Sequence, residues 1–218
     1  MKKSQSLGRI GASLTVLFFI LFILFLVVIL PSQGLPANQG ALYNPELVLE
    51  FTSHSWLLRG FYAHYFLGIF GSLLLVCAIS KQDLTIHQDL GKLRNIAGFF
   101  SAGMLFLNSV IQYLNLPLLL YLLPNQPDQT YATYLSITLI AGALVYGAFF
   151  CMGIWLIISN LDLRKSKKVS ILFSYMGIFT GIFGICSIFF TALSYLFIIC
   201  IIFWLIWLII IFPKLAKK

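Results

Sequence analysis

The stretch VSILFSYMGIFTGIFGICSIFFTALSYLFIICIIFWLIWLIIIF, residues 169–212, holds no Asp, Glu, Lys, Arg or His. As one α-helix it would run about 66 Å, roughly twice the hydrocarbon core of a bilayer. A run so long and so apolar must therefore fold back on itself as two crossing helices. Thr191, Ala192, Leu193 and Ser194 are the one weak point near its middle, which places the spans at about 170–190 and 192–212.

Four more runs reach the roughly 20 apolar residues that a crossing helix needs, at about 10–30, 61–80, 95–114 and 134–158. The first follows Lys2, Lys3 and Arg9. Its apolar core exceeds the roughly 7–15 residues of a cleaved signal and no small-residue cleavage site follows, so it reads as a retained span. Between the first two spans lies an outer loop, 31–60, broken by Pro31, Gly34, Pro36, Gly40 and Pro45. Within it, 45–58 mixes apolar residues with Glu46, Glu50 and His54 and reads as a short interfacial helix. A charged loop spans 81–94, and 116–123, punctuated by Pro117 and Pro124, reads as a surface segment too short to cross.

Composition agrees: 61% of the 218 residues are hydrophobic and 9% charged, against roughly 25% charged in a soluble domain. That balance excludes a soluble globular protein, and it is the reverse of what disorder requires. The fold class is thus all-α: a polytopic helical membrane bundle of six transmembrane helices forming a single domain, 1–218.

The net charge of +8 does not indicate a nucleic-acid partner, because the basic residues lie in short clusters between apolar runs and not along one solvated face. Their distribution gives orientation. With six spans and both termini cytoplasmic (N-in/C-in), every Lys and Arg except Arg59 falls on the inner side, as the positive-inside rule demands. The expected location is a bacterial inner or plasma membrane. Cys77, Cys151, Cys186 and Cys200 fall within apolar runs without zinc-site spacing and read as small hydrophobes. No metal or other cofactor is expected.

Ionisable side chains at mid-depth mark most membrane pumps and metalloenzymes. The six predicted spans hold no acidic or basic side chain apart from His64, which argues against carboxylate-coupled transport and most hydrolytic chemistry and leans the reading away from an enzyme. No P-loop, dinucleotide fingerprint, GxSxG elbow or HExxH helix is present.

Asn108, Gln112 and Asn115 give a sharper pattern. Spaced i, i+4 and i+7, they share one helical face at the outer end of span three, where amides facing lipid would go unpaired. They serve either as interhelical hydrogen-bonding groups, the commoner use, or as part of a ligand site. In the second case, His64 and Tyr65 from span two and Tyr134 and Thr138 from span four lie at similar depth, with Arg59 above. Arg59 would then meet a polar or anionic head group, or else pair with Glu46 or Glu50. Small residues describe packing: Gly177, Gly181 and Gly184 on span five, and Ala143 with Gly147 on span four, mark close helix contact with either another span or another copy of the chain. The bulky last span, with Trp204 and Trp207, is expected to face lipid or a partner subunit.

The order Gly8-Arg9-Ile10 at the start of span one, the long outer loop, the Gly-rich third span with Asn108, and Gly153-Ile154-Trp155 followed by Ser159-Asn160-Leu161 resemble a bacterial family of small six-span membrane proteins of unknown function. The resemblance implies a similar fold and assigns no catalytic residues. The function expected is that of a non-enzymatic accessory or regulatory membrane component, whose partners are the bilayer and either further copies of the chain or a membrane complex. The alternative is a small carrier or binding protein for a lipophilic or neutral solute entering from the outer face.

Overall fold

The structure is a computed structural model that describes residues 2–32, 56, 59–60, 63–80, 88–122, 124–167 and 169–215. Most of the outer loop 31–60, including the segment 45–58 expected to form an interfacial helix, and the residues 81–87 lie outside the described residues. The rest is helical, with no strand among the described residues. The six principal helices are α1 (Lys2–Leu24), α2 (Tyr65–Ser80), α3 (Gln88–Leu122), α4 (Pro127–Lys165), α5 (Ile171–Cys186) and α6 (Thr191–Leu215). A π-helical turn, Phe25–Ile29, prolongs α1 into Leu30–Ser32.

Local chemistry sets the ends. Ser170 caps α5 by accepting from the Phe173 backbone N–H at 3.2 Å. Pro127 starts α4 where a missing N–H costs nothing. The break in the charge-free run falls at residues 187–190, just ahead of the expected weak point. There Ser187 donates to the Gly184 carbonyl at 2.7 Å, and Ser194 donates to that of Thr191 at 2.6 Å inside α6. The hydroxyls of the run thus mark the turn from both sides.

Each helix packs antiparallel on its neighbour in sequence, and α1 packs on α6, closing a ring. The register is visible in single contacts. Gly11 meets Leu75 and Gly71 across α1/α2, Gly98 meets Val76 across α2/α3, Gly153 meets Gly181 across α4/α5, Phe173 stacks on Trp204 across α5/α6, and Phe19 meets the ring of Phe197 across α1/α6. Glycines at these seams let backbones approach as side chains could not. The contact face expected for Gly177, Gly181 and Gly184 is therefore satisfied within the chain: all three lie against α4, on Asn160, Gly153 and Phe149.

Two expectations are corrected. The last helix does not give itself over to the outside. Phe197, Ile201, Trp204, Leu205, Leu208 and Phe212 are fully buried in the core, while Phe203 and Ile210 point outward. A helix apolar all round hides its inward stripe from sequence reading, since hydrophobicity then has no period to follow. Nor does 116–123 lie apart as a surface segment: α3 runs unbroken through Pro117 to Leu122. Pro117 removes one N–H from the ladder, and the helix carries on past it.

Four helices are long and apolar enough to cross a membrane, over Ser6–Ile29, Asp89–Leu119, Asp128–Lys165 and Thr191–Phe212. The helices α2 and α5 are apolar but have 16 residues each, about 24 Å. Outward faces carry large apolar groups such as Phe70, Phe100, Leu139, Phe179 and Phe203.

Candidate functional site

Of the residues expected to converge, the structure brings Asn108, Gln112, Tyr65 and His64 together. Asn108 is completely buried on α3, and Gln112 Nε2 donates to its Oδ1 at 2.7 Å. Tyr65, buried at the start of α2, approaches the same amide with its hydroxyl. The Asn108 Nδ2 atom makes no hydrogen bond of ordinary geometry. His64 is buried among aromatic rings, 4.7 Å from Tyr65 and stacked at 5.2 Å on Phe18 and 6.1 Å on Phe25. The imidazole is thereby held as one member of an aromatic cluster that joins α1 to α2.

The remaining members stand differently. Asn115 Nδ2 donates to the Ile111 carbonyl on its own helix at 2.6 Å. Tyr134 is buried on α4 and hydrogen-bonds with Thr138 one turn along. Arg59 is exposed. Of the three amides, Asn108 reaches another helix at Tyr65, whereas Gln112 and Asn115 each find a partner one turn back along α3, because an amide side chain at i reaches position i−4 as readily as a neighbouring helix. Asn108 stands 14 residues from the end of α3, about 21 Å, beside Tyr65 at the start of α2.

The strongest polar link lies towards the opposite end, the basic end of the bundle, where α1 and α3 begin and α4 and α6 finish. Arg94 Nη1 meets Asp162 Oδ2 at 2.9 Å, both side chains 5% exposed or less. The guanidinium also donates through Nε to Asn95 Oδ1 at 3.2 Å. Arg94, Gly98 and Ser101 occupy one face of α3, and Asp162, Ser159 and Trp155 face them in antiparallel order on α4. Gly98 is required there, since a Cβ on it would lie 2.7 Å from the Trp155 ring. By contrast Lys92 and Asp89 form a loose surface pair at 3.5 Å, with side chains 64% and 88% exposed, of the kind that adds little.

A second interior link runs from Asn160, also fully buried. Its Nδ2 donates to the Leu156 carbonyl at 2.8 Å, and its Oδ1 accepts from Trp204 Nε1 at 3.1 Å, tying α4 to α6. Gly177 leaves room for this amide: a Cβ there would collide with it. Asn160→Ala is expected to destabilise the chain by about 1–3 kcal/mol, because it strands the buried Trp204 N–H. A thermal melt in detergent beside Trp204→Phe checks this, since the double substitution removes both partners and costs less than the sum.

Sequence reasoning misses both links. It places Arg94 in a charged loop as a topological marker, leaves Asp162 beyond the expected end of span four at 158 with no role, and gives Asn160 none beyond a resemblance. The usable signal is periodic: 155, 159 and 162 share one helical face only if α4 continues beyond 158. Among the described residues no three His, Cys, Asp or Glu side chains come together. Comparison with family models, with curated proteins and with solved structures finds no match.

Proposed function

We propose that the chain is a six-span integral membrane protein with both termini cytoplasmic, acting without catalysis as an accessory or regulatory component through the packing of its bundle. The antiparallel ring supports six crossings, since α2 and α5 lie alongside helices long enough to span. Their shortfall of about 6 Å against a 30 Å core is of the size that local bilayer thinning or flanking residues accommodate. Arg9, Lys92, Arg164, Lys165 and Lys167 gather at one end of the ring, and Arg59 belongs to the other, which supports the cytoplasmic assignment of the basic end. A bacterial inner or plasma membrane, and partnership with copies of itself or a larger membrane complex, complete the proposal.

The observation that carries this reading is how the interior polar groups are used. Arg94 bonds Asp162, Trp204 bonds Asn160, Gln112 bonds Asn108, and Asn115 bonds its own helix. The first two tie one helix to another and the last two are met within α3, so these groups are spent on holding the bundle. One observation favours the rival carrier for a neutral solute: the buried Asn108 Nδ2 makes no hydrogen bond of ordinary geometry, with the Tyr65 hydroxyl beside the amide, so this donor can turn to a solute carbonyl. Asn108→Leu separates the two. Under the packing reading the variant loses stability in parallel with Gln112→Leu, and proteoliposomes show no solute uptake to lose. Folding intact with uptake abolished would establish the carrier, and a substrate turned over by the purified chain would overturn the non-enzymatic reading.

A further inference from the structure

Three cations crowd the end of α4 and the turn that follows it. Arg164, Lys165 and Lys167 are all exposed. The turn holds them together: the Ser166 N–H donates to the Asp162 carbonyl and the Lys167 N–H to that of Arg164, each at 3.0 Å, with Lys167 in the left-handed region at φ 54°. The ion pairs among the described residues are Lys92–Asp89 and Arg94–Asp162, so none of the three has a carboxylate partner there. A charge that only sets topology needs no fixed position. Arg164 has one: its guanidinium carbon stands 4.7 Å from the centre of the Tyr175 ring, on the neighbouring helix α5. Stacked on a ring, a guanidinium keeps its N–H donors in its own plane, where they can meet two oxygens of a phosphate.

Tyr175 belongs to an apolar stripe. Leu172, Tyr175, Phe179 and Ile182 follow one another at i, i+3, i+7 and i+10, so they share one face of α5, and all four are exposed. On α4 the same spacing leads from the half-buried Ile154 and Ile157 through the exposed Leu161 to Arg164. The close approach of α4 and α5 at Gly153 and Gly181 sets the two faces side by side. From Leu172 to Ile182 the stripe runs about 15 Å, half the thickness of a bilayer core. The seam thus presents an apolar surface as deep as one leaflet, with the cations gathered at its end.

We propose that the α4/α5 seam binds one anionic phospholipid of the adjoining leaflet, its phosphate held by Arg164, Lys165 and Lys167 and an acyl chain lying along the α5 stripe. Charge selects the headgroup. Cations at a membrane surface attract anionic lipid, whereas a zwitterionic headgroup brings a further positive charge into a cluster that has no carboxylate to receive it. The site rests on the basic end lying at a bilayer surface, and neither on the accessory role of the chain nor on the Asn108 cluster.

Native mass spectrometry of the detergent-solubilised chain, titrated with phosphatidylglycerol or with phosphatidylcholine of the same acyl chains, counts the lipids retained. One phosphatidylglycerol is expected to be held in preference to phosphatidylcholine. Its affinity falls about fivefold for each of Lys165→Gln and Lys167→Gln, and further for Arg164→Gln, which also loses the stack. Tyr175→Phe keeps the ring and the binding, whereas Tyr175→Leu weakens it. Arg9→Gln and Lys92→Gln take the same charge from the same end of the bundle, on other helices, and leave the affinity unchanged. Equal losses for these two would show a diffuse attraction to the whole basic end and overturn the site. So would equal retention of the two lipids, or displacement of phosphatidylglycerol by inorganic phosphate at the same concentration, which has no acyl chain to place.

Discussion

Arg94→Met is expected to lower the stability of the folded chain by about 3–5 kcal/mol, the range seen when one member of a buried ion pair is removed. The loss comes chiefly from the partner. Asp162, 2% exposed, would keep a carboxylate with its principal counter-charge gone. Asp162→Leu is expected to cost as much for the mirrored reason, stranding the guanidinium beside Asn95. The double variant Arg94→Met/Asp162→Leu returns most of the loss, because two apolar side chains of similar volume need no compensation in that setting. A double-mutant cycle on thermal or denaturant unfolding in detergent reads the coupling directly. Salt provides an independent check: a pair this buried is little screened, so its coupling holds between low and high ionic strength, whereas removal of the exposed Lys92–Asp89 pair shifts stability by at most a few tenths of a kcal/mol, and only at low salt. Equal, small and salt-sensitive losses for both pairs would show that Arg94 and Asp162 meet at a hydrated surface.

This pair escapes sequence reading because hydropathy defines where a helix is apolar, not where it ends. Span three is expected from 95 and span four to 158, whereas α3 begins at Gln88 and α4 continues to Lys165. Each extension of seven residues adds about 10 Å of helix, and the ion pair is built in those extensions, with α3 and α4 still in contact. The positive-inside count uses Arg94 as a topological marker, and a marker carries no statement about burial. The helical class, by contrast, is open to view because a charge-free run as long as 169–212 has few folded solutions. Seam glycines are legible too, though their partners are not: GxxxG spacing says that something comes close, and only the structure says that Gly181 faces Gly153. The amide row on α3 is found by its period, while the length of the helix that carries it is not: the apparent end of span three at 114 is followed by eight further helical residues to Leu122.

The Gly153–Gly181 crossing carries the other large effect. A Cβ on Gly153 would stand 2.5 Å from the Gly181 carbonyl oxygen and 3.0 Å from the Ile185 N, and one on Gly181 would stand 2.6 Å from the Gly153 carbonyl oxygen. The obstructing atoms are backbone, so no rotamer change relieves the clash and the helices α4 and α5 must separate. Gly153→Ala is expected to cost at the upper end of the roughly 1–3 kcal/mol of an overpacked core, and Gly153→Leu to prevent the bundle from closing. The same change elsewhere has the opposite sign. Gly103 and Gly142 lie within α3 and α4, and a Cβ on either would meet nothing within 4 Å, so Gly103→Ala and Gly142→Ala gain helix propensity of about 0.5–1 kcal/mol. Melting temperatures of the four variants in one detergent give the comparison, and a uniform response to all four would mean that α4 and α5 are not in backbone contact. Gly177 extends the argument from backbone to side chain. Its obstacle is the Asn160 amide, pinned by Leu156 and Trp204, so Gly177→Ala destabilises the native chain yet costs much less once Asn160→Ala has cleared the space. That non-additivity, absent for the Gly153 and Asn160 pair of substitutions, distinguishes a seam closed by a movable side chain from one closed by the main chain itself.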